Sequence, residues 1–105
     1  MEKFSVLMSL YEKEHADYLD ESIQSIINQT VKPSEIIIVE DGPIPQNLRN
    51  VLKNYTDSYP GLFKLVPLDV NHGLGLALAE GIHYCTYELI ARMDTDDISV
   101  QDRFE

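Results

Sequence analysis

The sequence predicts an α/β domain built on a parallel sheet of about four strands, in the order 3-2-1-4, with helices on its faces. Three observations lead there. Short apolar, β-branched runs alternate along the chain with segments whose apolar residues recur at helical spacing. The runs are apolar at nearly every position, as expected of parallel strands covered on both faces. Polar residues then gather directly after the first, second and fourth runs, at the carboxyl ends where such sheets bind their ligands.

The elements follow in order. Phe4 to Leu10 is a short apolar run with little polar relief, read as the first strand. From Asp17 a helix is expected, with Leu19, Ile23, Ile26 and Ile27 along one stripe and Asp17, Asp20 and Glu21 near the positive end of its dipole. Lys32-Pro33 closes it. Glu35 to Val39 is the clearest strand, β-branched almost throughout, and it runs into the turn Glu40-Asp41-Gly42-Pro43. Pro45 suits the first turn of a second helix carrying Leu48, Val51, Leu52 and Tyr55, and Tyr59-Pro60-Gly61 ends it. Leu62 to Val66 alternates in part, so the third strand is expected nearer an edge. Asn71-His72-Gly73 is a loop before a third helix with Leu74, Leu78 and Ile82 on one side. Gly75 and Gly81 would weaken that helix, which suggests a close approach to a strand or ligand. Tyr87 to Ala91 is the fourth strand, and it delivers the chain into Met93-Asp94-Thr95-Asp96-Asp97.

At 105 residues the chain holds one domain, and 44% hydrophobic with 25% charged residues is ordinary for a globular protein. No apolar stretch is long enough to span a membrane, and no leader pattern precedes the first strand. The single cysteine, Cys85, excludes an internal disulfide and two-cysteine metal motifs, so a cytoplasmic location is expected. Eight Lys+Arg against eighteen Asp+Glu, a net charge of -10, argue against a nucleic-acid partner. An acidic site can nonetheless take a phosphorylated ligand when a divalent cation stands between them.

Several constellations could carry chemistry. Asp94-Thr95-Asp96 directly after a strand can present two carboxylates to one hard cation such as Mg²⁺ or Mn²⁺, with Asp97 adjacent; a solvated acidic turn is the plain alternative. Asp94 to Glu105 also imitates a calcium-binding EF-hand loop, but Ile98 and Ser99 stand where an oxygen ligand and a glycine are required. Asn71-His72-Gly73-Leu74-Gly75 is not a dinucleotide fingerprint, because it follows the third strand and lacks the third glycine. It could approach a diphosphate or sugar, or serve as a packing turn. Asp41 could accept from a nucleobase N–H or simply shape the turn, and Tyr11 could stack on a base or cap the core. Ser9 ends the first strand beside Tyr11 on the same expected rim. His15, His72 and His83 lack zinc spacing.

Taken in order, Ser5-Val-Leu-Met-Ser-Leu-Tyr11, Ser25-Ile-Ile-Asn-Gln-Thr30, Pro33-Ser-Glu-Ile-Ile-Ile-Val-Glu-Asp-Gly42, Asn71-His-Gly-Leu-Gly75 and Met93-Asp-Thr-Asp-Asp97 closely resemble the N-terminal half of family 2 glycosyltransferases, which have the GT-A fold. The resemblance spans nearly the whole chain. It implies a Rossmann-like GT-A half-domain from an inverting transferase that uses a nucleotide-diphosphate sugar, usually UDP-linked, with Mg²⁺ or Mn²⁺. By the same resemblance Asp41 contacts the base, Tyr11 lies against it, and Asp94 and Asp96 engage ribose, sugar and metal. Cell-surface polysaccharide assembly is the implied setting, with an acceptor glycan or lipid-linked sugar and a protein peripheral at the inner face of the membrane.

Two departures stand out. Leu78-Ala79 replaces an Arg-Asn pair that many relatives carry, and Glu40 replaces an aspartate. Family members also continue well beyond the equivalent of Glu105, with an acceptor site and a carboxylate base. The chain is therefore expected to bind donor without turning over, and to self-associate through apolar surface. A receiver-like signalling module would want its paired acids after the first strand, where this chain has Ser9-Leu10-Tyr11. A nucleotidyltransferase would want a glycine-rich basic loop there, and Leu10-Tyr11-Glu12-Lys13-Glu14 is neither.

Overall fold

The computed structural model describes residues 3–29, 32–71 and 73–94. Its elements run β1 (Ser5–Leu10), α1 (Ala16–Ile27), β2 (Glu35–Glu40), α2 (Gln46–Ser58), β3 (Phe63–Pro67), α3 (Leu74–Ile82) and β4 (Ile90–Asp94). The four strands form one sheet in the order β3-β2-β1-β4, every pairing parallel. This is the expected order. β1 and β2 are central, and their near-continuous apolar sequences match burial on both faces. β3 is half-exposed along most of its length, as suits its place at the sheet edge.

Strand alternation divides the core in two. Val6, Met8, Leu10, Ile36 and Ile38 meet α1 and α2 through Leu19, Ile23, Ile26, Leu48 and Leu52. On the opposite face Leu7, Ile37, Val39 and Val66 meet α3 alone, through Ala77 and Leu78. The two-helix layer is fastened by Tyr55, whose hydroxyl lies 2.5 Å from Asp20 Oδ1 and 3.1 Å from Gln24 Oε1. Burial first, then the hydrogen bond to Asp20, pushes that phenol far above its usual range.

The single-helix layer sits unusually close to the sheet. A Cβ on Gly81 would lie 2.5 Å from Leu7 Cδ1 and 2.6 Å from Val39 Cγ2, so the missing side chain is what lets α3 descend onto β1 and β2. Gly75, by contrast, has no neighbour within 4 Å of such an atom. The buried stripe of α3 passes through Ala77, Leu78 and Gly81, whereas Ile82 is exposed, contrary to the sequence reading. Leu76 and Leu89 are also exposed. No helix among the described residues is long and apolar enough to cross a membrane.

β4 starts three residues later than the Tyr87–Ala91 run suggests, because its ladder opens where β1 opens, with Ile90 beside Ser5. Asp94 consequently lies within the strand, where it pairs with Ser9.

Candidate functional site at the carboxyl ends of the strands

Ser9, Asp41 and Asp94 all lie at the carboxyl ends of neighbouring parallel strands, because parallel pairing brings like ends together. Ser9 is flanked in register by Val39 on one side and Asp94 on the other. Its parity is that of Leu7, which places it on the α3 face, half-buried. Asp41 follows β2 directly, and its amide donates to Leu10 carbonyl at 2.7 Å, so the chain is still held against β1 there.

The tightest part of the rim joins Asp41 to the loop before α3. Asp41 is buried, and its Oδ2 accepts from Gly73 N at 3.1 Å, while Asn71 Oδ1 accepts from the same amide at 3.0 Å. Two glycines make this possible. Gly42 has φ +91°, and a Cβ there would stand 2.9 Å from Asn71 N, against backbone that has little freedom to yield. Gly73 has φ 90° and is the residue from which α3 starts, its carbonyl accepting from Ala77 N. The carboxylate therefore also sits at the positive end of α3. A carboxylate has several acceptor positions, so an amide on one oxygen does not exhaust it.

Of the residues singled out from sequence, the structure gathers Asp41, Asn71 and Gly73 by direct contact, with Ser9 on the adjoining strand and Asp94 at the end of the next. Tyr11 follows β1 and is 41% exposed, which removes the alternative that it caps the core. Gly75 lies in the first turn of α3 with open space around it. Glu40 does not belong to the rim. It is buried with the opposite parity to Asp41 and pairs with Arg49 of α2 at 2.9 Å, so it anchors a helix. Leu78, the first of the two helix residues that depart from the family pattern expected above, is buried against the sheet and has no rim contact to offer. Asp96 and Asp97 lie outside the described residues, and of the Asp-X-Asp only the backbone position of Asp94 is defined. Among the described residues no three His, Cys, Asp or Glu side chains gather as a metal site. Carboxylates are the hard oxygen donors that Mg²⁺ or Mn²⁺ takes.

The sequence reading took Gly42 only as part of a turn, whereas its φ and close approach to Asn71 shape the rim. The Asp-Gly dipeptide was the available signal.

A parallel α/β domain whose polar residues converge on a glycine loop at the carboxyl strand ends has the architecture in which doubly wound sheets place their ligands. The model of the glycosyl transferase family 2 matches residues 5–105, and the chain belongs to that family. It is 48% identical over 103 residues to a glycosyltransferase of Haemophilus influenzae, covering 98% of this chain and 38% of that protein. It is 44% identical to the amylovoran biosynthesis glycosyltransferase AmsE of Erwinia amylovora, covering 97% and 38%. A UDP-Gal:alpha-D-GlcNAc-diphosphoundecaprenol beta-1,3-galactosyltransferase of Escherichia coli is 42% identical, with 98% and 37% covered. Among solved structures, S. aureus TarS in complex with UDP superposes with TM-score 0.79 at 25% identity, over 95% of this chain and 29% of that one. A mannosyltransferase of Pyrobaculum calidifontis, in complex with GDP-Man and Mn²⁺, gives 0.78 at 20% identity over 91% and 28%. The neighbours are GT-A glycosyltransferases, so the fold is the GT-A fold. The chain spans 38% of the length of the first two curated relatives.

Proposed function

We propose that this chain supplies the donor site of a glycosyltransferase, binding a nucleotide-diphosphate sugar, UDP-linked, at the rim formed by Ser9, Tyr11, Asp41, Asn71, Gly73, Gly75 and Asp94. The observation that carries the reading is the hydrogen bond from Gly73 N to Asp41, which brings the candidate base contact and the glycine turn together in one site. The UDP and UDP-GlcNAc complexes of the TarS neighbours support a uridine nucleotide. In this reading Asp41 accepts from the base N–H, exposed Tyr11 lies against the ring, and the glycine turn leaves room for the diphosphate and sugar. Asp94 and Asp96, with Asp97 beside them, hold Mg²⁺ or Mn²⁺, whose charge would offset that of the departing diphosphate. The names of the relatives support polysaccharide assembly and, for one of them, a lipid-linked acceptor; our reading adds inverting transfer, to a glycan or lipid-linked sugar, at the cytoplasmic face of a membrane. The acceptor site and catalytic base are assigned to the part of the relatives that this chain does not span. Exposed Leu76, Ile82 and Leu89 favour self-association of this chain at high concentration.

Titration calorimetry with UDP and Mn²⁺ tests the reading. In a protein of net charge -10 an acidic rim repels a diphosphate, so binding should weaken at least about tenfold in EDTA. Asp96→Asn should abolish most of that metal-dependent gain, since an amide is the poorer ligand for a hard dication. Equal binding with and without metal would overturn the metal assignment.

A further inference from the structure

At the opposite end of the sheet Glu35 is buried and surrounded by donors from three other parts of the chain. Its Oε2 accepts from Ser5 Oγ at 2.6 Å and from Thr86 N at 2.5 Å. Its Oε1 accepts from Thr86 Oγ1 at 3.0 Å and pairs with Lys64 Nζ at 3.1 Å. Lys64 in turn donates to Thr86 Oγ1 at 2.9 Å. Ser5 then holds the next stretch twice, its hydroxyl accepting from Tyr87 N at 3.4 Å and its amide donating to Leu89 carbonyl at 2.9 Å. Burial alone would raise the Glu35 pKa, but the hydrogen bonds from Ser5, Thr86 and Lys64 outweigh it and hold the carboxyl below its ordinary range. The group is thus a charged anchor for residues 86–89, the segment that feeds β4.

That segment has a consequence at the rim. Among the described strands β4 pairs with β1 alone. Its sequence, Ile-Ala-Arg-Met-Asp, specifies register poorly, because Ile90 and Ala91 pack on opposite faces and no strict alternation distinguishes one alignment from another. The seven residues between α3 and β4 leave slack for sliding. A slip of one residue would turn every β4 side chain to the other face, and a slip of two would move Asp94 about 6–7 Å along the strand axis, away from its place beside Ser9.

We infer that Glu35 is a positioning residue for the donor site: by gripping Thr86 and Ser5 it fixes the register of β4 and so places Asp94 opposite Ser9. The functional consequence rests on the donor-site reading of that rim, whereas the register claim stands by itself.

Amide hydrogen exchange and interstrand NOEs on the ¹⁵N-labelled 105-residue chain test it. Glu35→Leu should speed exchange across 90–94 by about tenfold or more relative to 36–40, and weaken the Ser9–Asp94 backbone NOE. Glu35→Gln, which keeps an acceptor for Thr86 N, should restore most of both. Uniform acceleration of all strands, or unchanged β4 exchange, would reduce Glu35 to a general stabiliser and overturn the inference. Should Glu35→Leu fail to fold, Ser5→Ala decides, with the same selective loss in β4 expected and its absence counting against the inference. A second arm compares ligands in the folded variants. UDP with Mn²⁺, which in that reading depends on Asp94 as a metal ligand, should lose affinity several-fold more than uridine, whose base is read by Asp41 just after β2. If the unmutated chain binds neither, the donor reading fails, and the exchange result still decides the register claim.

Discussion

Glu35 and Asp41 stand at opposite ends of the same stretch of chain, on the same face of the sheet, and each is 5% exposed. Burial alone would rank them equal, yet they are built differently. Glu35 is enclosed by a lysine, a serine, a threonine and an amide drawn from a neighbouring strand, the edge strand and the α3–β4 connection. Asp41 is held by the amide of a positive-φ glycine, beside a second positive-φ glycine, where helix and loop begin. The first arrangement neutralises a charge and closes the sheet. The second leaves backbone amides and a helix start around a carboxylate, which is the equipment for meeting a ligand. In the proposed reading the amino end of this sheet holds the register and the carboxyl end meets the ligand, as parallel sheets place their ligands.

The largest expected effect falls on the open end. Gly42→Ala places a side chain at φ +91° and 2.9 Å from Asn71 N. The conformational penalty is about 1–2 kcal/mol, and displacing the 70–71 backbone adds to it. A loss of roughly 2–3 kcal/mol in urea unfolding is expected, with UDP affinity reduced at least about tenfold because Asn71 and Gly73 move together. A stable variant with intact binding would mean that the Asp41–Gly73 loop is not the rigid site described above.

The closed end should respond to acid. Glu35 has a folded pKa below its unfolded one, so its contribution is fully present above the ordinary carboxylate range and is lost as pH falls through that range toward the lower folded value. The groups facing it are Lys64, paired with it at 3.1 Å, and Cys85, whose thiol is pushed up by burial and then by the Glu35 charge. Glu35→Gln should therefore cost about 1–2 kcal/mol at neutral pH, and the cost should shrink as the pH of the unfolding experiment is lowered toward 3. A penalty that does not vary with pH would show that shape, not charge, holds the clasp.

The difference between the ends also explains what could be read from the sequence. β1 and β2 were legible because their apolar runs are local, and the order 3-2-1-4 followed from alternation and strand-end polarity. Asp41, Asn71 and Gly73 were legible as turn and loop residues from their local chemistry, and as site candidates through the family resemblance. Glu35 was read only as the start of a strand, since its partners lie 30 and 51 residues away in Ser5 and Thr86. The same long-range clasp shifted β4. Tyr87 and Leu89 look like strand residues, but Tyr87 is held by the Ser5 hydroxyl and Leu89 by the Ser5 amide, and the paired strand starts only at Ile90. Ile82 was misplaced because Gly81, an unobtrusive residue in sequence, is the true point of helix–sheet contact.

The smallest effect on stability is expected where the effect on recognition is most selective. Asp41→Asn keeps a side-chain oxygen that can accept from Gly73 N, so the loop should remain closed and stability should fall by no more than about 1 kcal/mol, the difference between a charge-assisted and a neutral hydrogen bond. Recognition of the base changes more. An amide placed with its oxygen toward Gly73 directs its NH₂ elsewhere, and a donor then faces the base N–H where an acceptor is required. Uridine and UDP should weaken by a similar factor, about tenfold, with the gain from Mn²⁺ on UDP undiminished. That pattern is the reverse of the one expected for Asp96→Asn, in which the metal gain disappears and uridine is unaffected. Asp41→Ala supplies the control. It removes the acceptor from Gly73 as well as from the base, so it should disturb the loop and reduce stability more than Asp41→Asn does. Calorimetry with uridine and UDP on both variants, beside their urea midpoints, separates the two duties of Asp41. If Asp41→Asn leaves uridine affinity unchanged while Asp41→Ala lowers stability, the aspartate serves the loop alone, and the two ends of β2 are alike in purpose after all.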